Sequence, residues 1–287
     1  SQAIGKSKGY NILMSEDVLA TIDSMKKLGI KVILNGSHCE IFGNGINGFK
    51  YKKNLTINAR NSGTLGRLLL GLLIKSPQKI KLIGDKSLSK RDFSRITLPL
   101  EKFGAKFYYT IKNKLPLTIL GSQSIKGIKY LENKGSAQCK SSVMFAALNA
   151  SGTTSIKAKK SRNHTELLFK YLKIPIKIKK TKNYDFIDVK KPKEIKAFNY
   201  QIPGDISSSA FFMVLTILTN NSKLLIKSVN INPSRTGVIT ILKKMGAKIS
   251  LKNKKNYRGE KISDILIKSS SNLKPINCPP ELNSSAI

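Results

Sequence analysis

Apolar residues recur at helical spacing in seven stretches of this chain: residues 16–28 (a stripe of Val18, Ile22 and Met25), 64–74, 93–103, 139–149, 165–172, 207–218 and 236–245. Short β-type runs lie between them at 80–83, 117–120, 153–156, 223–226 and 265–267. One cadence closes several of the helical stretches. Leu28-Gly29-Ile30-Lys31-Val32, Phe103-Gly104-Ala105-Lys106-Phe107 and Met245-Gly246-Ala247-Lys248-Ile249 each read as a helix end, a glycine cap and the start of an alternating strand. Leu172-Lys173-Ile174-Pro175-Ile176 is a degenerate copy of the same cadence, and the copies are spaced about 70–75 residues apart.

A second series keeps that period. Asn61-Ser62-Gly63-Thr64, Ser136-Ala137-Gln138 and Gly204-Asp205-Ile206-Ser207-Ser208 are small polar runs, each opening a strongly apolar helix. Two helices and several strands per period predict an α/β chain of homologous layered units. Each unit has a helix start at which free N–H groups could face an anion. The polar, lysine-rich passage at 190–199 is the best candidate boundary, dividing the chain into 1–198 and 199–287.

Length and composition then narrow the class. The 287 residues suffice for one large domain or two ordinary ones. Lys and Arg number 52 against 16 Asp and Glu, a formal charge of +36, with 45 Lys and only 7 Arg. Runs such as Lys157-Ala158-Lys159-Lys160 and Lys177-Ile178-Lys179-Lys180 suit a nucleic-acid surface. Lysine is nevertheless spread over the whole chain, and no aromatic-rich basic motif accompanies it, which favours compositional drift. Against that drift the retained arginines stand out: Arg67, Arg91, Arg162 and Arg235 lie inside the motif runs, where a fixed fork of donors suits phosphate or carboxylate. No run of about 18 apolar residues occurs, so no membrane span is expected. Cys39, Cys139 and Cys278 are too dispersed for a zinc site or a disulfide framework, which fits a reducing cytoplasm. The chain starts at Ser1 without a signal-peptide layout, and both ends read as cut.

Gly43-Asn44-Gly45-Ile46-Asn47-Gly48 matches a dinucleotide fingerprint literally, but no helix pattern follows it, so it reads as a glycine-rich turn between short strands. Asn61-Ser62-Gly63-Thr64 reads equally as an ordinary N-cap or as an anion site. Ser136-Ala137-Gln138, with Lys140, Ser141 and Ser142 after it, repeats the arrangement. Ser161-Arg162-Asn163-His164-Thr165-Glu166 gathers a hydroxyl, a guanidinium and an imidazole at another helix start, and Gly84–Arg91 places Arg91 ahead of a further helix. Each is weak alone; at matching points of successive repeats they imply several helix starts facing one polyanionic ligand.

Those runs, with Pro203–Phe211 (PGDISSSAF) and Asn232–Gly237 (NPSRTG), resemble the 3-phosphoshikimate 1-carboxyvinyltransferase (5-enolpyruvylshikimate-3-phosphate synthase) family, in order and over essentially the whole chain. The resemblance implies an enolpyruvyl transferase-like fold: repeated βαβαββ units in an inside-out α/β barrel arrangement, two lobes, the second incomplete here. It implies transfer of the enolpyruvyl group from phosphoenolpyruvate to the 5-hydroxyl of shikimate 3-phosphate, in aromatic amino-acid biosynthesis. No metal or organic cofactor is implied, nor a nucleic-acid or membrane partner, and the complete protein would be a cytoplasmic monomer. By motif position, Gly63, Arg91 and Gln138, with Asn61 and Thr64, would hold phosphoenolpyruvate. Ser136, Ala137, Gln138, Ser161 and Arg162 would hold shikimate 3-phosphate. Asp205 and Arg235 look structural or interlobe.

The sequence departs from the family pattern at Asp92 (usually Pro), Ser62 (usually Ala) and Asn163 (usually Asp). The family's catalytic lysine loop and Asp-Glu pair fall outside this chain, so no catalytic residue is assigned within it, and the 287-residue chain alone is expected to be inactive. The alternatives are the enolpyruvyl transferase acting on UDP-N-acetylglucosamine, whose loop cysteine has no counterpart here, and a basic nucleic-acid-binding protein.

Overall fold

The computed structural model describes residues 1–286 and divides into two units, Ser1–Lys160 with Leu172–Ile202, and Ser161–Tyr171 with Pro203–Ile287. In chain order the first sheet is entered by β1 (Ile4–Tyr10), α1 (Glu16–Lys27), β2 (Lys31–Asn35) and β3 (His38–Asn44). Next come β4 (Leu55–Asn58), α2 (Gly63–Leu72), β5 (Ile80–Ile83), the single turn α3 (Lys86–Ser89), α4 (Ser94–Glu101), β6 (Lys106–Tyr109) and β7 (Leu117–Leu120). A third passage holds β8 (Lys129–Glu132), α5 (Ala137–Ala147), β9 (Thr153–Lys159), α6 (His164–Tyr171), β10 (Ile176–Lys180) and β11 (Tyr184–Lys190). After β12 (Asn199–Gln201) the chain forms α7 (Ile206–Leu218), β13 (Lys223–Asn230), α8 (Gly237–Lys244), β14 (Lys248–Tyr257) and β15 (Glu260–Lys268), and it ends in short turns at Pro280–Leu282 and Asn283–Ala286.

The sheets repeat one plan. The second is ordered β4-β5-β7-β6 and the third β8-β9-β11-β10, each with one parallel pair followed by antiparallel pairs. The first sheet, β12-β1-β3-β2, has the same layout, but its leading strand comes from the far end of the unit: β12 lies parallel to β1 with Lys8 opposite Asn199. The fourth, β13-β15-β14, shows the leading strand only as a parallel bridge between Gly204 and Val229. This accounts for both sequence series. The cadence marks the step from α1, α4, α6 and α8 into β2, β6, β10 and β14. The small polar runs open α2, α5 and α7.

The left-handed residue of the cadence explains its glycine. Gly29, Gly104 and Gly246 have φ of +82°, +95° and +100°, and in the degenerate copy Lys173 takes φ +56° at the same step. The core of the first unit is formed by the apolar stripes of its helices. Leu69, Leu70, Leu73 and Ile74 from α2 and its exit, and Phe93, Ile96, Leu100 and Phe103 around α4, are at most 2% exposed. Each such side chain contributes about 1.5–3 kcal/mol by leaving water. The second unit has its own core, in which Ile206, Met213 and Ile217 of α7 pack with Val229, Ile249, Ile265 and Ile267. α2 and α5 approach closely because Gly71 has no side chain: a Cβ there would stand 2.2 Å from the Ser142 carbonyl oxygen.

The division differs from the boundary expected after residue 198 in two places. Pairing of β12 with β1 keeps 199–201 in the first unit, and 161–171 groups with the second. Among the described residues, no helix is long and apolar enough to cross a membrane.

Candidate active site

Because β4 and β5 are parallel neighbours, with Asn58 opposite Ile83, the loops leaving their C-terminal ends lie side by side. Asp85 joins them. Its backbone N–H donates to the Arg60 carbonyl at 2.8 Å, its carboxylate accepts from the Leu88 N–H at 2.7 Å to cap α3, and Asn61 Nδ2 donates to its other oxygen. These contacts hold the Asp85 carboxyl below the usual range, the Leu88 N–H first, then Asn61, with a smaller contribution from Arg91. The turn α3 then delivers Arg91 beside the start of α2.

There Ser62 caps the helix, its Oγ accepting from the Leu65 N–H at 3.2 Å. A Cβ on Gly63 would lie 3.1 Å from Arg91 Nη1 and 3.3 Å from Arg67 Nη1, so the missing side chain leaves the space between two guanidinium groups. The start of α5 reaches the same place. Gln138 Oε1 accepts from Arg67 Nη1 at 2.6 Å, and Gln138 Nε2 donates to Thr64 Oγ1 at 2.9 Å. Burial lowers the pKa of Arg67, and the charges of Arg91 and Arg95 add to that; among the described residues no carboxylate pairs with Arg67. Such a cluster suits an external anion. Ser136 caps α5 through the Cys139 N–H at 3.3 Å, placing the Ala137 backbone in the first turn.

The first unit therefore brings together Asn61, Gly63, Thr64, Arg91, Gln138, Ser136 and Ala137. Ser161 and Arg162 belong to the second unit. The Ser161 hydroxyl oxygen is out of reach of solvent and has no hydrogen-bond partner among the described residues. Arg162 has its pKa lowered by burial and then by the charge of Arg235, with Asp205 opposing. Arg235 donates through Nη2 to Ser207 Oγ at 2.6 Å and to Asp205 Oδ1 at 3.2 Å. Asp205 caps α7 through the Ser208 N–H at 2.8 Å.

The three departures from the family pattern each have a local role. Ser62 supplies the α2 cap. Asp92 accepts from the N–H and hydroxyl of Ser94, the first residue of α4, at 2.7 and 2.8 Å. Asn163 Oδ1 accepts from Asn232 Nδ2 at 2.8 Å. Arg67, not assigned from motif position, joins the two helix starts alongside Thr64; its survival in a chain dominated by lysine was the available signal. The literal dinucleotide fingerprint forms the end of β3 and the turn after it.

A family model described as EPSP synthase (3-phosphoshikimate 1-carboxyvinyltransferase) matches residues 2–279. The chain belongs to the EPSP synthase family. It is 42% identical over 289 residues to the 3-phosphoshikimate 1-carboxyvinyltransferase of Ruthia magnifica subsp. Calyptogena magnifica, covering 100% of this chain and 65% of that protein. The protein of the same name from Bacillus subtilis (strain 168) is 36% identical over 271 residues, 94% of this chain and 62% of the relative. Among solved structures, an EPSP synthase from Acinetobacter baumannii overlays with a TM-score of 0.88 at 36% identity, covering 99% of this chain and 64% of that one. The α/β fold of mixed sheets and helices is thus the EPSP synthase fold, and this family member spans less than two thirds of the length of these relatives.

Proposed function

We propose that this chain supplies the anion-binding helix starts for transfer of the enolpyruvyl group from phosphoenolpyruvate to the 5-hydroxyl of shikimate 3-phosphate, with release of phosphate. The observation that carries the reading is the convergence of Arg67 and Arg91 on the bare Cα of Gly63 at the positive end of α2. Phosphoenolpyruvate, with a carboxylate and a phosphate, would take the place between those guanidinium groups, bordered by Asn61, Thr64 and Gln138. Shikimate 3-phosphate would take the α5 start at Ser136, Ala137 and Gln138 in the first unit; in the second unit, Ser161 and Arg162 are its proposed ligands by motif position. Donors fixed before the ligand arrives would stabilise the charge that develops as the ether bond forms, without a metal or organic cofactor. The reading includes a cytoplasmic monomer, in keeping with Cys39, Cys139 and Cys278 as free thiols.

Isothermal titration of the 287-residue chain with shikimate 3-phosphate tests the reading. Binding that Arg162→Ala weakens about tenfold or more is expected, as for loss of one charge-assisted contact. A wild-type chain that takes up neither shikimate 3-phosphate nor phosphoenolpyruvate at millimolar concentration would reject it.

A further inference from the structure

Ser161, Arg162 and Asn163 lie between the end of β9 at Lys159 and the start of α6 at His164, so no regular element fixes their direction. A group of polar side chains set back from them does. Glu260, the first residue of β15, is 6% exposed. Its Oε1 lies 2.6 Å from His164 Nδ1, which donates in the tautomer or ion carrying that proton, and its Oε2 accepts from Asn232 Nδ2 at 3.1 Å. The same Asn232 Nδ2 donates to Asn163 Oδ1, while Asn232 Oδ1 accepts from the Ser234 N–H at 2.9 Å and its hydroxyl at 2.8 Å. One buried carboxylate and one buried amide thereby fasten both the 161–164 segment and the turn that carries Arg235. Burial opposes ionisation of Glu260, but the hydrogen bonds from His164, Asn230 and Asn232 outweigh it and keep the group a carboxylate.

A buried carboxylate is costly unless its partners hold it well, and apolar side chains could have docked α6 instead. The far end of α6 is held by a different contact, Arg258 donating to the Tyr171 hydroxyl and stacking over its ring at 5.3 Å. The polar clamp is confined to the end next to Ser161 and Arg162.

We propose that Glu260 is a positioning residue. Through His164, and through Asn232 to Asn163, it sets the direction of Ser161 and Arg162 and so the affinity for a phosphorylated ligand. The identity of that ligand rests on the reading above; the clamp does not. The test uses the 287-residue chain with Glu260→Ala, His164→Ala and Glu260→Gln, the last keeping a hydrogen-bonding group of the same shape. Exchange of the Leu167 amide, which donates to the Asn163 carbonyl at 3.1 Å, is followed by NMR without ligand, and shikimate 3-phosphate is then titrated. Both alanine variants are expected to speed that exchange and weaken binding about tenfold, while Glu260→Gln stays within about threefold of wild type on both. Unchanged Leu167 exchange in both alanine variants overturns the clamp. Faster exchange with unchanged affinity overturns the positioning role and leaves the proposed function standing. A wild-type chain that does not bind shikimate 3-phosphate refutes the proposed function and the positioning role with it.

Discussion

α2 and α7 open the same step of the repeat, yet their first residues leave the two helices in opposite electrostatic states. At α2 the cap is the neutral Ser62, and the nearby carboxylate of Asp85 is already engaged by Leu88 and Asn61. Arg67 and Arg91 therefore flank the space beside Gly63, and among the described residues neither has an ion-pair partner. At α7 the cap is Asp205, whose carboxylate takes the Ser208 N–H and hydroxyl and also pairs with Arg235. The positive helix end and its guanidinium are both answered from within. The fold supplies a similar helix start in each copy; the charge of the capping residue decides whether it stays open to an outside anion.

That contrast can be broken at four points. The largest effect is expected from Gly71→Ala. Its new methyl would meet the Ser142 carbonyl at 2.2 Å, forcing α2 and α5 apart and separating Gln138 from Arg67 and Thr64. A loss of about 3 kcal/mol in urea denaturation is expected, at the upper end for overpacking; an unchanged midpoint would show that the helix pair yields easily. Next, Arg91→Ala should raise the dissociation constant for phosphoenolpyruvate about 100-fold in calorimetric titration, as for a desolvated charged contact, and Gly63→Ala about tenfold. The corresponding change in the second unit, Asp205→Ala, should act on stability instead, costing about 1 kcal/mol as a lost N-cap. Equal losses of ligand affinity in Arg91→Ala and Asp205→Ala would erase the distinction.

The smallest effect is on acid stability. Asp85, Asp205 and Glu260 are held below the usual carboxylate range, so the unfolded chain binds more protons as the pH falls. Their contribution is complete above the unfolded values of about 4 and is lost as pH drops through the native ones. Urea midpoints should therefore be flat from pH 7 to about pH 5 and decline below that. Asp205→Asn should make the decline shallower.

The helices and the repeat were legible because their signals are local. Leucine spacing in α2 and the glycine at +82° to +100° each act within one or two turns. Among the strands missed, β1 and β12 are ones in which lysine or polar residues blur the alternation. β1 reads Ile-Gly-Lys-Ser-Lys-Gly-Tyr with no fully buried position, and β12 is Asn-Tyr-Gln. Candidate site residues could be named one at a time, but not the contacts that join them. Arg67 meets Gln138 across 71 positions and His164 meets Glu260 across 96, separations that no motif spans.

The pairing of β12 with β1 bears on how the polypeptide matures on the ribosome. In the second and third sheets the parallel partners Leu55 and Ile80, or Lys129 and Ser155, emerge close together, whereas Lys8 must wait for Asn199. Nascent β1 consequently presents an unsatisfied edge until Asn199 has been made, a period when cross-chain pairing is a hazard. A product released before Asn199 would keep that edge open, so premature termination there should yield insoluble material.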